Sequence, residues 1–99
     1  EMTINKKLEA TKLELLLEGR LDTTTSPMLE AELKQSIEGI TELVFDFEKL
    51  EYISSAGIRI LLAAQKIMNK QGSMVVKNIN EIVAEVFEVT GFSDILTIE

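Results

Sequence analysis

The sequence of 99 residues contains no cysteine and no histidine. Without them the chain cannot form a Ser-His-Asp or Cys-His catalytic site, nor a zinc site built from His and Cys. The lack of cysteine agrees with a reducing compartment, and we expect a cytoplasmic protein. No apolar run has the length of a membrane span, and no charged-then-apolar N-terminal segment predicts export. We therefore expect no membrane association and no metal.

Basic residues are few, since ten Lys and Arg stand against seventeen Asp and Glu, giving a formal charge of -7. This charge opposes binding to a phosphate backbone, and no Lys/Arg cluster breaks the trend, so we expect no direct nucleic acid partner. The sequence also lacks a Gly-rich phosphate loop and any visibly activated nucleophile. We therefore expect neither a cofactor nor enzymatic activity.

The hydrophobic pattern predicts four strands before the third helix. The length and a hydrophobic content of 45% are typical of one compact domain, here residues 1–99. Alternating residues in Thr3–Leu8 and Lys12–Glu18 predict a hairpin with a tight turn. The apolar run Leu43–Phe47 lacks alternation, which is typical of a central strand covered on both faces. A fourth strand is predicted at Met74–Val76.

Three helices are predicted around these strands. The first begins after Ser26, its candidate N-cap, with Pro27 at the first helical position. The second begins at Ser55 and buries a stripe that we expect to consist of Ala56, Ile60, Ala63, Ala64 and Ile67. The third begins after an Asn80 cap, and residues 94–98 are predicted to form a last short strand.

The resulting order β-β-α-β-α-β-α-β predicts an α/β fold with a mixed sheet. The first two strands form an antiparallel hairpin, and right-handed β-α-β crossovers make the later strands parallel. Functional groups in such sheets gather where parallel strands end. Asp22, Ser54 and Ser55 each follow a strand, so we expect them at one edge of the sheet.

Ser55 is the main candidate functional residue. The segment Tyr52–Leu62 predicts that a strand exit delivers this serine onto the first turn of an apolar helix. Unpaired N-H groups and the helix dipole favour an anion there, which makes phosphorylation of the hydroxyl physically favourable. In the alternative interpretation, Ser55 only caps the helix.

Four segments resemble the anti-sigma factor antagonists, a family of small single-domain STAS proteins. They occur in the family's order and separations, and they are Gly19–Asp22, Val44–Phe47 with Leu50, Tyr52–Ile58, and Glu88–Phe92 with Ile95 and Leu96. The resemblance spans essentially the whole chain. It implies a STAS-like mixed sheet with about three main helices.

The resemblance implies partner switching through Ser55. The unmodified chain would bind an anti-sigma factor that is also a serine kinase, and would thereby free a sigma factor. Phosphorylation of Ser55 would end that binding, and a serine phosphatase would restore it. The implied contact surface comprises Asp22, Thr23, Ser54, Gly57, Ile58 and Arg59. Ser54 stands where many members carry Asp, and Arg59 stands where a small residue is common.

A second hypothesis keeps the fold and omits the phosphorylation. STAS domains also serve as accessory subunits of lipid-transport ATPases or as regulatory tails of anion transporters. Ser55 would then be a cap, and the helix would be a constitutive docking surface.

A third hypothesis is a receiver domain that takes phosphate on Asp46 with Mg²⁺ nearby. Asp22 and Lys77 would complete that site, which needs a pair of acids after the first strand, whereas Asp22 stands alone. Asp46 is otherwise interpreted as a carboxylate that accepts hydrogen bonds at a strand end.

Overall fold

The computed structural model describes residues 1–99. Its strands and helices follow the predicted order through the third helix. They are β1 Met2–Glu9, β2 Lys12–Leu21, α1 Ser26–Ser36, β3 Glu42–Ile53, α2 Ser55–Gln71, β4 Ser73–Lys77 and α3 Glu81–Thr90. A 3-10 turn, Phe92–Asp94, comes after α3. None of the helices combines the length and apolar character that a membrane span requires.

The four strands form one mixed sheet in the order β1-β2-β3-β4. β1 and β2 pair antiparallel, whereas β2 pairs parallel with β3 and β3 pairs parallel with β4. The predicted fold class is thus confirmed. β3 is longer than predicted because it continues beside β2 for seven residues after Asp46, its last residue that pairs with β4. This extension carries the chain to the end of β2.

The core lies around β2 and β3. All five residues of Leu43–Phe47 are buried, as the lack of alternation predicts. The rings of Phe45 and Phe47 meet edge to face with centroids 6.0 Å apart. Leu13, Leu15 and Leu17 alternate with partly exposed residues, so β2 buries one face against the helices.

The prediction of which face of α2 is buried is wrong. The helix buries Ala64 as expected, but its other buried residues are Gly57, Ile58, Leu61, Gln65 and Met68. Ile60 is half-buried, and Ala63 and Ile67 are exposed. The core face is turned by about 100°, one residue step of the helix, because Gly57 allows α2 to pack closely on Leu21.

Two further expectations about element ends are wrong. Ser26 is the first residue of α1 and Thr25 is the N-cap position, with no capping bond from its side chain. The last strand does not form, since Ile98 makes only an isolated parallel bridge to Val76. Gly91 ends α3 in the left-handed conformation, and the chain then turns through the 3-10 segment instead of extending.

Candidate partner-binding site

The parallel strands β2 and β3 end side by side. Leu21 pairs with Ile53, and the backbone N-H of Ser54 donates to the carbonyl oxygen of Leu21 at 2.9 Å. Asp22 and Ser54 therefore leave the sheet together, at the edge that the sequence predicts. Ser55 follows directly as the first residue of α2.

The Asp22 side chain organises the loop into α1. Its Oδ1 accepts from the backbone N-H groups of Thr24 at 3.0 Å and Thr25 at 3.1 Å. The Thr25 hydroxyl accepts from the N-H of Asp22 and donates to the carbonyl oxygen of Arg20, and the Ser26 hydroxyl donates to the carbonyl oxygen of Asp22. Asp22 thus fixes the loop shape, which leaves Thr23 exposed at its tip.

These hydrogen bonds make the loop sensitive to acid. The bond from the Thr25 N-H is the largest cause that holds the pKa of Asp22 below its ordinary value. A depressed folded-state pKa stabilises the protein above the unfolded value of about 3.9, and the stabilisation is lost as pH falls through the folded pKa. We expect denaturant titrations between pH 7 and pH 2 to lose less stability in Asp22→Asn than in the unmodified chain.

Asp94→Asn is the matched control, because Asp94 is exposed and its carboxylate accepts no hydrogen bond. Its acid sensitivity should follow that of the unmodified chain. An acid response of Asp22→Asn identical to that of Asp94→Asn would contradict the assigned role of Asp22.

Arg20 is held beside the loop by two contacts. Its guanidinium lies 4.4 Å from the centre of the Tyr52 ring, and its Nε lies 3.8 Å from Oδ2 of Asp22. Both contacts are partly exposed, so each contributes modestly to stability. They hold Arg20 at the same edge as Ser54, and the pairing of Arg20 with Tyr52 follows from the strand register.

The two serines at the start of α2 have different roles. Ser54 is the N-cap, and its hydroxyl accepts from the N-H of Gly57 at 3.5 Å. Ser55 is exposed at the first helical position, and its hydroxyl makes no hydrogen bond within the protein. The interpretation of Ser55 as the cap is therefore wrong, and the exposed hydroxyl is free to react.

The other residues expected at the contact surface divide into two groups. Arg59 is exposed and lies four residues after Ser55, on the same side of α2. Gly57 and Ile58 are buried, so neither presents a side chain to a partner. A Cβ on Gly57 would lie only 2.6 Å from Cγ of Leu21. The lack of a side chain at Gly57 therefore allows α2 to lie close to the sheet.

Asp46 has the structural role that the sequence left open. It is buried and accepts from the N-H of Glu48 and from Nδ2 of Asn78, each at 3.0 Å. Burial acts to raise the pKa of Asp46, but the two hydrogen bonds bring it below its ordinary value. Asp46 is level with Leu16, six residues before Asp22, which at 3.3 Å per residue separates the two carboxylates by roughly 20 Å along the sheet. The two do not form the acidic site of a receiver domain.

The comparison with protein-family models decides the family. The model described as "STAS domain" matches residues 3–99, nearly the whole chain. The chain belongs to the STAS domain family. This assignment agrees with the mixed sheet and the three helices.

Known STAS proteins similar to this chain are named for sigma-factor control. The candidate anti-sigma factor antagonist BtrV of Bordetella bronchiseptica is 38% identical over 84 residues, which cover 83% of this chain and 72% of BtrV. The crystal structure of an anti-sigma factor antagonist from Mycobacterium paratuberculosis matches with a TM-score of 0.89 at 20% identity, covering 99% of this chain and 85% of that one.

SpoIIAA, a cell fate determinant of Bacillus, shares the fold in two chemical states. Its phosphorylated form matches this STAS chain with a TM-score of 0.76 at 18% identity, covering 98% of this chain and 91% of SpoIIAA. Its unphosphorylated form matches with a TM-score of 0.78 at 17% identity, covering 98% of this chain and 87% of SpoIIAA. The STAS fold described above is thus present in both forms.

Sequence reasoning missed the contribution of Thr25 and of the Arg20-Tyr52 pair. Thr25 lies in a run of three threonines, and only the structure distinguishes the buried one from its exposed neighbours. Arg20 and Tyr52 each precede the last residue of an observed parallel strand, β2 or β3, but both lie beyond the predicted strand ends at Glu18 and Phe47. The predicted bounds therefore carried no signal for their contact.

Proposed function

We propose that this STAS protein is an anti-sigma factor antagonist that acts by partner switching. When Ser55 is unmodified, the chain binds an anti-sigma factor that is also a serine kinase, and the sigma factor is released. The kinase then phosphorylates Ser55 and loses its affinity for the product. A serine phosphatase restores the binding form, and we place this cycle in the cytoplasm.

The observation that carries the proposal is the division of roles between two adjacent serines. Ser54 caps α2, so the Ser55 hydroxyl can be esterified without removing a hydrogen bond from the fold. A phosphate at this position lies at the helix N-terminus, where the dipole and the first N-H groups offset its cost by about 0.3–2 kcal/mol. The domain is therefore expected to keep its fold after modification.

The surface around Ser55 fits the proposed contact. Thr23 and Arg59 are exposed, and Asp22 and Ser54 are half-exposed at the same sheet edge. We assign partner contacts to these four residues. Gly57 and Ile58 act indirectly, since their burial sets the position of α2.

Phosphorylation would release the partner through charge and desolvation. A phosphoserine adds about -1.5 to -2 charges, and it would be buried in the complex against the kinase. Without a cation of the kinase to meet it, this charge costs several kcal/mol, and each 1.4 kcal/mol is tenfold in affinity. In this scheme the kinase transfers the γ-phosphoryl group of ATP to Oγ of Ser55, and the phosphatase hydrolyses the ester. The STAS chain is substrate and binding partner, with no catalytic step of its own.

The test is to incubate the chain with the anti-sigma factor kinase of the same organism and ATP, and to map the product by mass spectrometry. We expect one phosphate, on Ser55, and no labelling of Ser55→Ala. Ser54→Ala should still be labelled, because the Ser54 hydroxyl caps the helix and is not the proposed phosphate acceptor. Phosphate on Ser54, or persistent labelling of Ser55→Ala, would contradict the assignment.

A further inference from the structure

Charge is unevenly distributed along this acidic chain. Residues 52–80 contain four cations and no acid, whereas residues 78–99 contain five acids and no cation. Three of the four cations, Arg59, Lys66 and Lys70, lie on α2. The helix that begins with Ser55 is therefore basic on a protein whose formal charge is -7.

The three cations lie on one side of α2, together with Ser55. Their spacings from Ser55 onward are four, seven and four residues, which places all four side chains on one helix face. All four residues are exposed. None of the three cations forms an ion pair, although four of the other seven cations do, namely Lys6, Lys12, Arg20 and Lys77.

An apolar groove runs beside this basic face. α1 and α2 both return from the ends of parallel strands, so they lie side by side and run in the same direction. The groove between them has a volume of about 400 Å³ and its apolar lining consists of Leu33, Ile37, Ile60, Ala63, Ala64 and Ile67. Arg59 and Lys34 also line it, with one acid, Glu30. Ile67 is 41% exposed, so the groove is open to a partner.

We propose that this groove and the basic face of α2 bind an acidic amphipathic helix of the partner protein. Apolar side chains of that helix enter the groove, and its carboxylates meet Arg59, Lys66 and Lys70. Arg59 and Lys70 are eleven residues apart, which at 1.5 Å per residue is about 16 Å. One small anionic ligand cannot meet cations spread over that distance, whereas a helix with several acids can. The inference rests on the proposed function, for which it names the chemistry of the partner.

This arrangement gives phosphorylation a direct effect on the groove. Ser55 and Arg59 are separated by four residues, so a phosphate on Ser55 can pair with the Arg59 guanidinium. That pairing removes one cation from the partner's carboxylates. It also places a dianion at the end of the face that the acidic helix occupies, which repels it.

The test uses the full chain and two synthetic amphipathic helical peptides with the same leucine stripe. One peptide carries glutamates beside the stripe, and the other carries lysines. We expect the glutamate peptide to bind and to shift the amide resonances of Leu33–Ile37 and Arg59–Lys70. Its affinity should fall at least tenfold in the double variant Lys66→Glu, Lys70→Glu, and less in the double variant Lys66→Gln, Lys70→Gln.

The matched control is the double variant Lys7→Glu, Lys49→Glu. Both lysines are exposed and unpaired, and neither lies on α2, so the same change in charge should leave peptide affinity nearly unchanged. The proposal is overturned if the glutamate peptide does not bind, if the lysine peptide binds as tightly, or if the shifted residues lie elsewhere. Displacement of the peptide by equimolar dodecanoate would also overturn it, in favour of a fatty carboxylate site.

Failure of this inference and failure of the proposed function give different results. If phosphorylation of Ser55 ends binding of the kinase but Lys66→Glu, Lys70→Glu does not weaken that binding, the helix-docking surface is wrong and partner switching stands. If the glutamate peptide binds as expected but the kinase does not label Ser55, the docking surface stands and partner switching is wrong.

Discussion

Substitution of Ser55 by aspartate is expected to weaken binding of the anti-sigma factor kinase by at least about tenfold, whereas Ser55→Ala should bind nearly as the unmodified chain does. The aspartate places a negative charge at an exposed position that the complex would bury, and an unmet charge in an interface costs several kcal/mol. Alanine removes a hydroxyl that makes no hydrogen bond within the protein. Isothermal titration calorimetry with the purified kinase measures both affinities.

Ser54→Asp is the matched control for this experiment. It adds the same charge one residue earlier, at the N-cap, where a carboxylate accepts from the Gly57 N-H and is favoured by the helix. We expect it to weaken binding less than Ser55→Asp does, because the first N-H groups of α2 meet this carboxylate, although Ser54 lies in the assigned contact surface. Equal weakening by Ser54→Asp and Ser55→Asp would indicate a general charge effect, and unchanged binding by Ser55→Asp would favour the constitutive docking hypothesis.

Substitution of Gly57 by a residue with a side chain is expected to destabilise the fold by overpacking the contact between α2 and the sheet. A Cβ there would lie 2.6 Å from Cγ and 2.9 Å from Cδ2 of Leu21, a fully buried side chain. Helix propensity favours alanine over glycine by about 1 kcal/mol, but overpacking a core typically costs about 1–3 kcal/mol. We expect urea titrations to show a net loss of up to about 2 kcal/mol for Gly57→Ala and a larger loss for Gly57→Val.

The Leu21→Ala background tests the assigned cause. Removing most of the Leu21 side chain eliminates the overlap, although it costs about 2–5 kcal/mol by itself. In that background Gly57→Ala should cost less than in the unmodified chain, or should stabilise through helix propensity. The same cost in both backgrounds would show that Gly57 and Leu21 are not coupled and would contradict the packing argument.

The strand pattern allowed the sheet to be predicted because each segment carries its own signal. The alternation of β2 and the continuous apolar run Leu43–Phe47 both reflect local burial, which the structure confirms. The prediction of the last strand failed, and the reason is also local. Gly91 adopts the left-handed conformation at the end of α3, and the chain then forms a 3-10 turn, so only the last three residues, Thr97–Glu99, reach β4.

The buried face of α2 was not predictable from periodicity alone. The helix carries two apolar sets about 100° apart, and both have helical spacing. Which set enters the core depends on Gly57 fitting against Leu21, a contact between residues 36 positions apart. The misassigned residues Ile60, Ala63 and Ile67 instead line the groove beside α1.

The position of the candidate site at the sheet edge was predicted more successfully than the hydrogen-bonding roles of its side chains. Strand ends place Asp22 beside Ser54, and this follows from topology. The assignment of the cap to Ser54, by contrast, depends on which serine begins the helix, and helix ends are uncertain by a residue from sequence alone. The internal hydrogen bonds of the Asp22 carboxylate depend on the loop path, which no residue pattern specifies.

The most direct test of partner switching is to compare the kinase affinities of the chain phosphorylated at Ser55 and of the bare chain, with a ¹H-¹⁵N correlation spectrum of each form. We predict that phosphorylation lowers the affinity by about a hundredfold or more, while changes in the spectrum are confined to the Asp22 loop and the start of α2. Equal affinity of the two forms, or a spectrum that changes throughout the chain, would contradict the account.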